Sequence, residues 1–335
     1  MKKFLLMLLV PLLLTSCDVH EWPVLPEFVK LHLKLDYETN MTKWEHIYDG
    51  ENIISSNKSE VYDNHREYGK IRYIVRTYAV SERQQSVQDY TQEFIFTKDV
   101  KEGYDHQVTL DIIPGNYKIM VWSDLIESDN DSHFYNATNL SKINLLGEHR
   151  CNTDYKDAFR GIESVSLVAD IVERKPDTLN VKMERPLAKF EFVTNDLSEF
   201  LVKEAGVNTK SVDIDEYRVV FSYVGFMPHT YNLSTDKPVD SSTGIVFESA
   251  LKKLNETEAS MGFDYVFVNN NDSSISIQIG IFNNEGTQLS ITEPIDVPLK
   301  RSHHTIIKGK FIMAEASGGV AINPEFDGDH NLIIP

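Results

Sequence analysis

The sequence predicts an all-β protein built from two tandem antiparallel β-sandwich domains, with one short helix in the second. Three observations support this fold class. Short apolar stretches with period-two alternation recur along the chain, turn residues separate them, and a chain of 335 residues with 41% hydrophobic residues can bury two cores. Consecutive strands with hardly a helix between them are typical of antiparallel sandwiches.

The N-terminus has the features of a secretory signal. Lys2 and Lys3 precede an apolar run from Phe4 to Leu14, which is too short to span a bilayer as a helix. The run leads into Thr15-Ser16-Cys17, which resembles the bacterial lipobox, where a peptidase cuts before a diacylglyceryl-cysteine. We expect a signal peptide over residues 1–16 and lipidation of Cys17. The alternative is an ordinary signal peptide with an incidental cysteine.

Composition limits how the mature chain is stabilised and what it binds. Residues 17–26 contain two prolines and no apolar period, so we expect the acylated cysteine to be followed by a short spacer. Cys151 is the only other cysteine, which leaves no intramolecular disulfide and favours a structural thiol over a nucleophile. The formal net charge of -18 argues against nucleic acid as a partner.

The first domain is predicted over residues 27–184. Its first strand places Val29, Leu31, Leu33 and Leu35 on one face and basic residues on the other. The passage from Glu38 to Lys70 has no sustained period, so we expect it to be irregular with a mobile tip. Further strands are predicted at residues 71–78, 94–96, 108–113, 117–122, 165–168 and 178–183.

The strand that ends in Trp122 is expected to lie inside the first sandwich. It follows a Pro114-Gly115 turn and carries bulky side chains on both faces, which predicts that Trp122 is a core residue. The loop Asp124–Phe134 holds four carboxylates. A solvated acidic loop is favoured over a calcium site because the EF-hand spacing and its glycine are lacking.

The second domain is predicted over residues 185–335. Pro186 cannot donate a ladder hydrogen bond, so the break between the sheets is expected just before it. The strand that follows alternates Ala188, Phe190 and Phe192 with charged residues.

One helix and several strands are expected after this first strand. Asp196 and Glu199 have capping-box spacing, which predicts a helix that ends at Gly206. Strands are predicted at residues 219–224, 244–247, 265–268, 274–281 and 288–291, and the clearest alternates Ile275, Ile277, Ile279 and Ile281 with small or polar residues.

Three segments resemble the fimbrillins, the type V pilus proteins of Bacteroidales. They are the Arg185-Pro186 step into an Ala-Lys-aromatic strand, the Pro-Gly-x-Tyr hairpin within Ile113–Asp124, and the basic turn within Val297–Phe311 before a long strand. With the lipobox, the resemblance covers nearly the whole mature chain. It implies two transthyretin-like sandwiches and a surface structural or adhesive role.

Two classes of function follow from the resemblance. The first is a pilus anchor, accessory or adhesive subunit, held in the outer membrane by lipid on Cys17, surface-exposed and acting by strand-mediated assembly. Its partners would be other fimbrial subunits or ligands on host or bacterial surfaces. The alternative is a surface glycan-binding lipoprotein of a polysaccharide-uptake system, which would need exposed aromatic side chains to stack on sugars.

The sequence indicates no enzyme, cofactor or metal site. It contains no P-loop, dinucleotide fingerprint, nucleophile elbow or His-Glu-x-x-His helix. His303 and His304 are adjacent, and adjacent residues on a strand point to opposite faces, so a turn pair is favoured over a metal site.

The resemblance adds candidate modification and processing residues. Asp177-Thr178-Leu179 resembles the Bacteroidales O-glycosylation acceptor, with Thr178 as the acceptor. In polymerising fimbrillins a protease removes the first strand after Arg or Lys, and Lys43, Lys58 and Arg66 follow the first strand here. We favour retention of this strand, because no single Arg stands in a compact site directly after it.

Replacing Cys17 tests the membrane tether. Cys17→Ser removes the acylation site, and each buried methylene of an acyl chain contributes about 0.8 kcal/mol to membrane binding. We expect the variant to leave the membrane fraction when cells are fractionated and immunoblotted. A variant that still partitions wholly with the outer membrane would contradict lipid anchoring.

Overall fold

A computed structural model gives the fold of the chain and describes residues 27–64, 66, 69–80, 90–127, 133–169, 177–207, 213–269 and 273–313. The predicted signal peptide, Cys17 and the spacer up to residue 26 lie outside this part. The described strands are β1 Val29–Tyr37, β2 Asn40–Tyr48, β3 Ile53–Asp63, β4 Lys70–Ala79, β5 Gln92–Asp99, β6 His106–Ile112, β7 Gly115–Ile126, β8 Tyr135–Asn136, β9 Ile143–Leu145, β10 Ala158–Leu167, β11 Asp177–Met183, β12 Leu187–Thr194, β13 Arg218–Val224, β14 Met227–Asn232, β15 Lys237–Ser242, β16 Val246–Ala250, β17 Lys252–Lys253, β18 Ala259–Phe267, β19 Ser273–Phe282, β20 Gln288–Ile291, β21 Ile295–Leu299 and β22 His303–Gly309.

The first sandwich confirms the predicted fold class. A three-stranded sheet in the order β11-β1-β6 packs on a four-stranded sheet in the order β10-β7-β4-β5. Leu31, Leu33 and Leu35 point into the core between them with at most 1% of their surface exposed. Alternation along β1 therefore places one face in the core, as expected for a half-buried strand.

The second sandwich is built around β12. A six-stranded sheet in the order β17-β18-β12-β22-β2-β3 packs on a sheet in the order β16-β13-β19-β20, with β21 also paired to β19. Phe190, Phe192, Ile277 and Ile279 are fully buried between these sheets. Most pairings are antiparallel, but β1 with β11, β12 with β22 and β2 with β22 are parallel.

The helix α1 spans Leu197–Val207 and packs Leu197 and Phe200 into the second core. Its N-terminal contacts differ from the predicted capping box. The Asp196 carboxylate accepts hydrogen bonds from the Thr194 hydroxyl and from the backbone N–H of Met313 at 2.9 Å, while Glu199 pairs with Lys310 at 2.8 Å. The cap residue thus ties the helix to the segment after β22. No helix in the described part of the chain is long and apolar enough to cross a membrane.

The polar passage after β1 is not irregular over residues 40–48 and 53–63, and for these residues that expectation is wrong. It forms the strands β2 and β3, which we call the hairpin. Strand β2 pairs in parallel with β22 from Thr42 opposite His303 to Ile47 opposite Lys308. The hairpin therefore completes the sheet that contains β12, although it precedes the predicted boundary at residue 185.

A third cluster of buried residues joins the two sandwiches. Trp122 is 0% exposed, as predicted for a core residue, and packs with Tyr135, Tyr231 and Phe267. These aromatic residues come from both sides of residue 185. The domain boundary stays a prediction, but the two halves share a core and a sheet.

Truncating a buried phenylalanine tests the second core. Phe192→Ala should lower the free energy of unfolding by about 3–5 kcal/mol, because it removes a fully buried ring and leaves a cavity. Denaturant unfolding of the purified chain would measure this.

The matched control is Phe226→Ala. Phe226 is 74% exposed, so its truncation should change stability by no more than about 0.5 kcal/mol. Equal effects of the two substitutions would contradict the placement of β12 in the core.

Candidate functional site

The strand β1 lies at the centre of its sheet, with a partner strand along each edge. It pairs in parallel with β11 along one edge and antiparallel with β6 along the other. Strands in a sheet lie about 4.8 Å apart, so removing β1 would leave a slot two strand spacings wide. The floor of this slot would be the apolar core that its leucines now cover. β1 thus fills a position that another extended segment could occupy.

The turn between β1 and β2 is held by the buried side chain of Arg185. Its Nε lies 2.7 and 2.9 Å from the two carboxylate oxygens of Asp157. Its terminal nitrogens donate to the backbone carbonyls of Glu38, Thr39 and Asn40 at 3.4, 2.9 and 3.1 Å. Arg185 is 1% exposed, so its charge is matched by Asp157 within the protein rather than by water. This clamp fixes the path of the chain out of β1.

A network around Asp154 extends the clamp toward β12 and β18. The Asp154 carboxylate accepts from Lys189 at 2.9 Å, from the Tyr265 hydroxyl at 2.6 Å and from Arg66 at 2.9 Å. Asn64 donates to the Tyr265 hydroxyl at 3.2 Å and connects it to the clamp. Burial alone would raise the pKa of Asp154, but Lys189 and Arg66 outweigh it and hold the pKa below its usual value.

A second buried carboxylate, Asp264 on β18, binds the loop that precedes β10. It pairs with Lys156, accepts from His149 Nε2 at 2.6 Å and accepts from the Tyr223 hydroxyl at 2.8 Å. Burial would raise the pKa of Asp264, but Lys156 and His149 hold it below its usual value. Charges from the first half of the chain are therefore matched by charges from the second half.

The three candidate processing residues lie in or beside the hairpin. Lys43 is in β2, between β22 and β3, and its Nζ lies 3.1 Å from Glu60. Lys58 is in β3, where the register with β2 shifts. The Arg66 side chain is tied to Asp154. Processing at these residues stays a prediction, although Lys43 and Lys58 lie in strands and only Arg66 lies outside them.

The candidate glycosylation residue and the remaining cysteine differ in accessibility. Thr178 is exposed on β11, directly opposite His32 of β1. Cys151 is half-buried, and burial raises the pKa of its thiol to about 12. A thiol with this pKa stays protonated at neutral pH, which fits the structural role expected for it.

Two of the four carboxylates in the acidic loop are already paired. Asp124 is buried against Arg72 and accepts from the Trp122 indole N–H at 3.1 Å, and Glu127 pairs with Arg150 at 2.9 Å. Asp129 and Asp131 lie outside the described residues. In the described part of the chain, no cluster of three or more His, Cys, Asp or Glu side chains could hold a metal ion.

His303 and His304 open the strand β22 rather than forming a turn. His303 Nδ1 lies 2.8 Å from the Arg301 carbonyl oxygen, and His304 Nδ1 lies 3.1 Å from the Tyr62 hydroxyl. They point to opposite faces of the sheet, as expected for adjacent strand residues.

The sequence does not identify most of the buried charged residues that connect the two halves of the chain. Asp154, Asp157 and Lys156 lie in a short turn without a period, so nothing marked them as buried. Asp264 gave one usable signal, because it is the only charge in the apolar run Ala259–Phe267. The fimbrillin resemblance includes Arg185, but no pattern in the sequence indicates its contacts with Asp157 and the β1–β2 turn.

Removing the clamp arginine tests its contribution to stability. Arg185→Ala leaves Asp157 buried and unpaired, so we expect a loss of about 3–5 kcal/mol in the free energy of unfolding. The matched control is Arg218→Ala, because Arg218 is one-third exposed and pairs with exposed Glu248. That variant should lose at most about 1 kcal/mol. Equal losses in denaturant unfolding would refute the clamp.

Comparisons with known proteins give a family and several similar folds. No curated protein matches the chain in sequence. A candidate adhesin from Bacteroides thetaiotaomicron is similar in structure, with a TM-score of 0.45 and 10% identity over 87% of this chain and 95% of that one. A candidate polysaccharide-binding protein from the same species has a TM-score of 0.43 and 13% identity over 79% and 80%.

The fimbrial anchor protein Mfa2 from Porphyromonas gingivalis has a TM-score of 0.36 and 11% identity, over 78% of this chain and 82% of that one. At these scores and identities the likenesses establish no function for the chain. The model of the family of unknown function DUF6562 matches residues 26–335, nearly the whole of the predicted mature chain. The chain therefore belongs to the DUF6562 family.

Proposed function

We propose that the protein is a lipid-anchored, fimbrillin-like subunit of the cell surface that keeps its first strand and serves as a pilus anchor, accessory or adhesive subunit. The observation that carries this proposal is the position of the hairpin. The chain leaves β1 through a turn clamped by Arg185 and at once enters β2, which is paired on both sides. A protease needs exposed, unpaired backbone, and the connection from β1 into β2, which reaches Lys43, offers little.

Retention of β1 has a direct consequence for the role of the subunit. Cys17 lies N-terminal to β1, so any cut after β1 would separate the lipid from the folded chain. A subunit that keeps β1 keeps its membrane tether, and its own slot stays filled. These properties suit a subunit at the membrane better than one that polymerises into a stalk.

Assembly with partners would then use strand edges that no other described strand pairs with. β3 ends the six-stranded sheet and β5 ends the four-stranded sheet of the first sandwich. Each edge presents backbone N–H and C=O groups that an extended segment of a partner can pair with, while alternating side chains set the register. The proposed role is binding rather than catalysis.

Glycan binding, the alternative from the sequence, has less support. Sugar stacking requires an open aromatic face, but Trp122 is fully buried. The Trp44 ring packs against His46 and His303, with ring centroids 4.6 and 6.1 Å away. Trp22 lies outside the described residues.

The N-terminus of the surface protein tests retention. We expect mass spectrometry of surface material to find the mature chain starting at acylated Cys17, with β1 present. Thr178→Ala, which changes an exposed residue outside the hairpin, should leave this N-terminus unchanged. A dominant N-terminus between residues 44 and 67, in ladder-forming multimers, would show instead that the protein is a processed stalk subunit.

A further inference from the structure

The hairpin is joined to the rest of its sheet along one line of backbone pairing. β3 pairs only with β2 among the described strands, and β2 pairs with β22. We call the β2–β22 pairing the hairpin seam. Parallel pairing is slightly less stable per residue than antiparallel pairing, so side chains at the seam have a large share in keeping it closed.

Two buried histidines lie at the hairpin seam, one on each face of the sheet. His46 of β2 is 3% exposed and its ring packs edge-on to Trp44 at 4.6 Å. Neither ring nitrogen of His46 has a hydrogen-bond partner among the residues that the structure describes. His304 of β22 is 6% exposed and contacts Tyr62 of β3 on the other face.

Among the residues that the structure describes, no group beside His46 stabilises a positive charge on its ring. Across the sheet it lies opposite Ile307 of β22 and Ser55 of β3, and neither residue is charged. Burial lowers the pKa of His46, and no charged side chain in the described part of the chain contributes to this shift. Protonation would place an unpaired cation in the seam, which is costly.

The surroundings of His304 contain charges of both signs. Its Nε2 lies 3.0 Å from the Glu191 carboxylate without hydrogen-bond alignment, and Lys43 of β2 and Lys189 of β12 are its neighbours across the sheet. Burial lowers the pKa of His304 and Lys189 adds to this, while Glu191 and Asp154 oppose it without reversing the shift. Burial and Lys189 therefore favour the neutral ring in the closed seam, and the Glu191 carboxylate at 3.0 Å opposes them.

We propose that the hairpin seam is sensitive to acid. Neutral His46 and His304 keep β2 paired with β22, and protonation of these histidines opens the seam and releases the β2–β3 hairpin from β22. This regulation goes beyond the proposed anchoring role and does not depend on it. Opening would free the backbone edge of β22, so that an extended segment could pair there.

The pH range of this change follows from the two states of each histidine. A histidine exposed by opening takes up a proton near its ordinary pKa of about 6.5, whereas the buried ring resists protonation. The closed seam is therefore fully stable above about pH 6.5 and loses stability as the pH falls below it. At about pH 5.5 each histidine can favour opening by up to about tenfold. The lowered pKa values of Asp154 and Glu191 keep both carboxylates charged over this range.

Hydrogen exchange at two pH values tests the proposal on the full chain in its Cys17→Ser form. Amide protection factors, corrected for intrinsic exchange rates, would be measured at about pH 7.5 and pH 5.5. We expect protection in β2, β3 and β22 to fall by about tenfold or more at the lower pH. Protection in β13 and β19, which contain no histidine, should stay constant.

Substitution identifies the residues responsible. The double variant His46→Phe with His304→Gln cannot titrate at the seam and should lose the pH dependence in β2. His32→Gln, which changes an exposed histidine on β1, should keep it in full. Unchanged protection of wild-type β2 between the two pH values, or an undiminished pH dependence in the double variant, would overturn the proposal.

A measurement on the unsubstituted histidines covers the case in which the double variant fails to fold. In a nuclear magnetic resonance titration of the Cys17→Ser chain, the His46 ring should stay neutral well below pH 6.5 as long as the seam is closed. A His46 ring that titrates at or above pH 6.5 in the closed state would also overturn the proposal.

Discussion

The buried contact between Arg185 and Asp157 is the constraint on which the arrangement of the two halves depends. A guanidinium removed from water needs acceptors for its five N–H groups. Arg185 finds them in a carboxylate that precedes β10 and in three carbonyls of the β1–β2 turn. All of these acceptors are in place only when the first sheet, the hairpin and β12 have taken their final positions. One side chain thus favours a single way of joining the sandwiches.

Much of the fold could be predicted because half-buried strands show a two-residue alternation of apolar and polar side chains in the sequence. Alternation located β1 through Leu31, Leu33 and Leu35, and it located β19 through its isoleucines. β2 and β3 were missed for a physical reason. The faces of β2 carry Lys43, Trp44, Glu45 and His46 in place of aliphatic residues, and the strand β22 that pairs with β2 lies at the far end of the described chain. A local sequence pattern cannot predict pairing between strands so far apart in the chain.

The candidate site was less predictable than the fold. Buried ionic groups such as Asp154 and Lys156 look like ordinary surface residues until the opposite charges from β12 and β18 are placed beside them. The one-residue alternation that identified the core side of β12 assigned Lys189 to the outward face. That face is covered by the first half of the chain, so the lysine is buried there and paired. Side chains that are buried between the two halves therefore cannot be predicted from the pattern of a single strand.

The pairing of β2 with β22 also determines when the chain can finish folding. Thr42 and His303 are neighbours across this pairing although 261 positions separate them. Contacts between residues so far apart form late, because a long stretch of chain must be ordered first. A chain that emerges with its N-terminus first exposes residues 40–63 long before residues 303–309 are available. Until β22 has been made, the edge of β2 that pairs with it stays unpaired. The chain is therefore exposed to aggregation or degradation until this last described strand is in place.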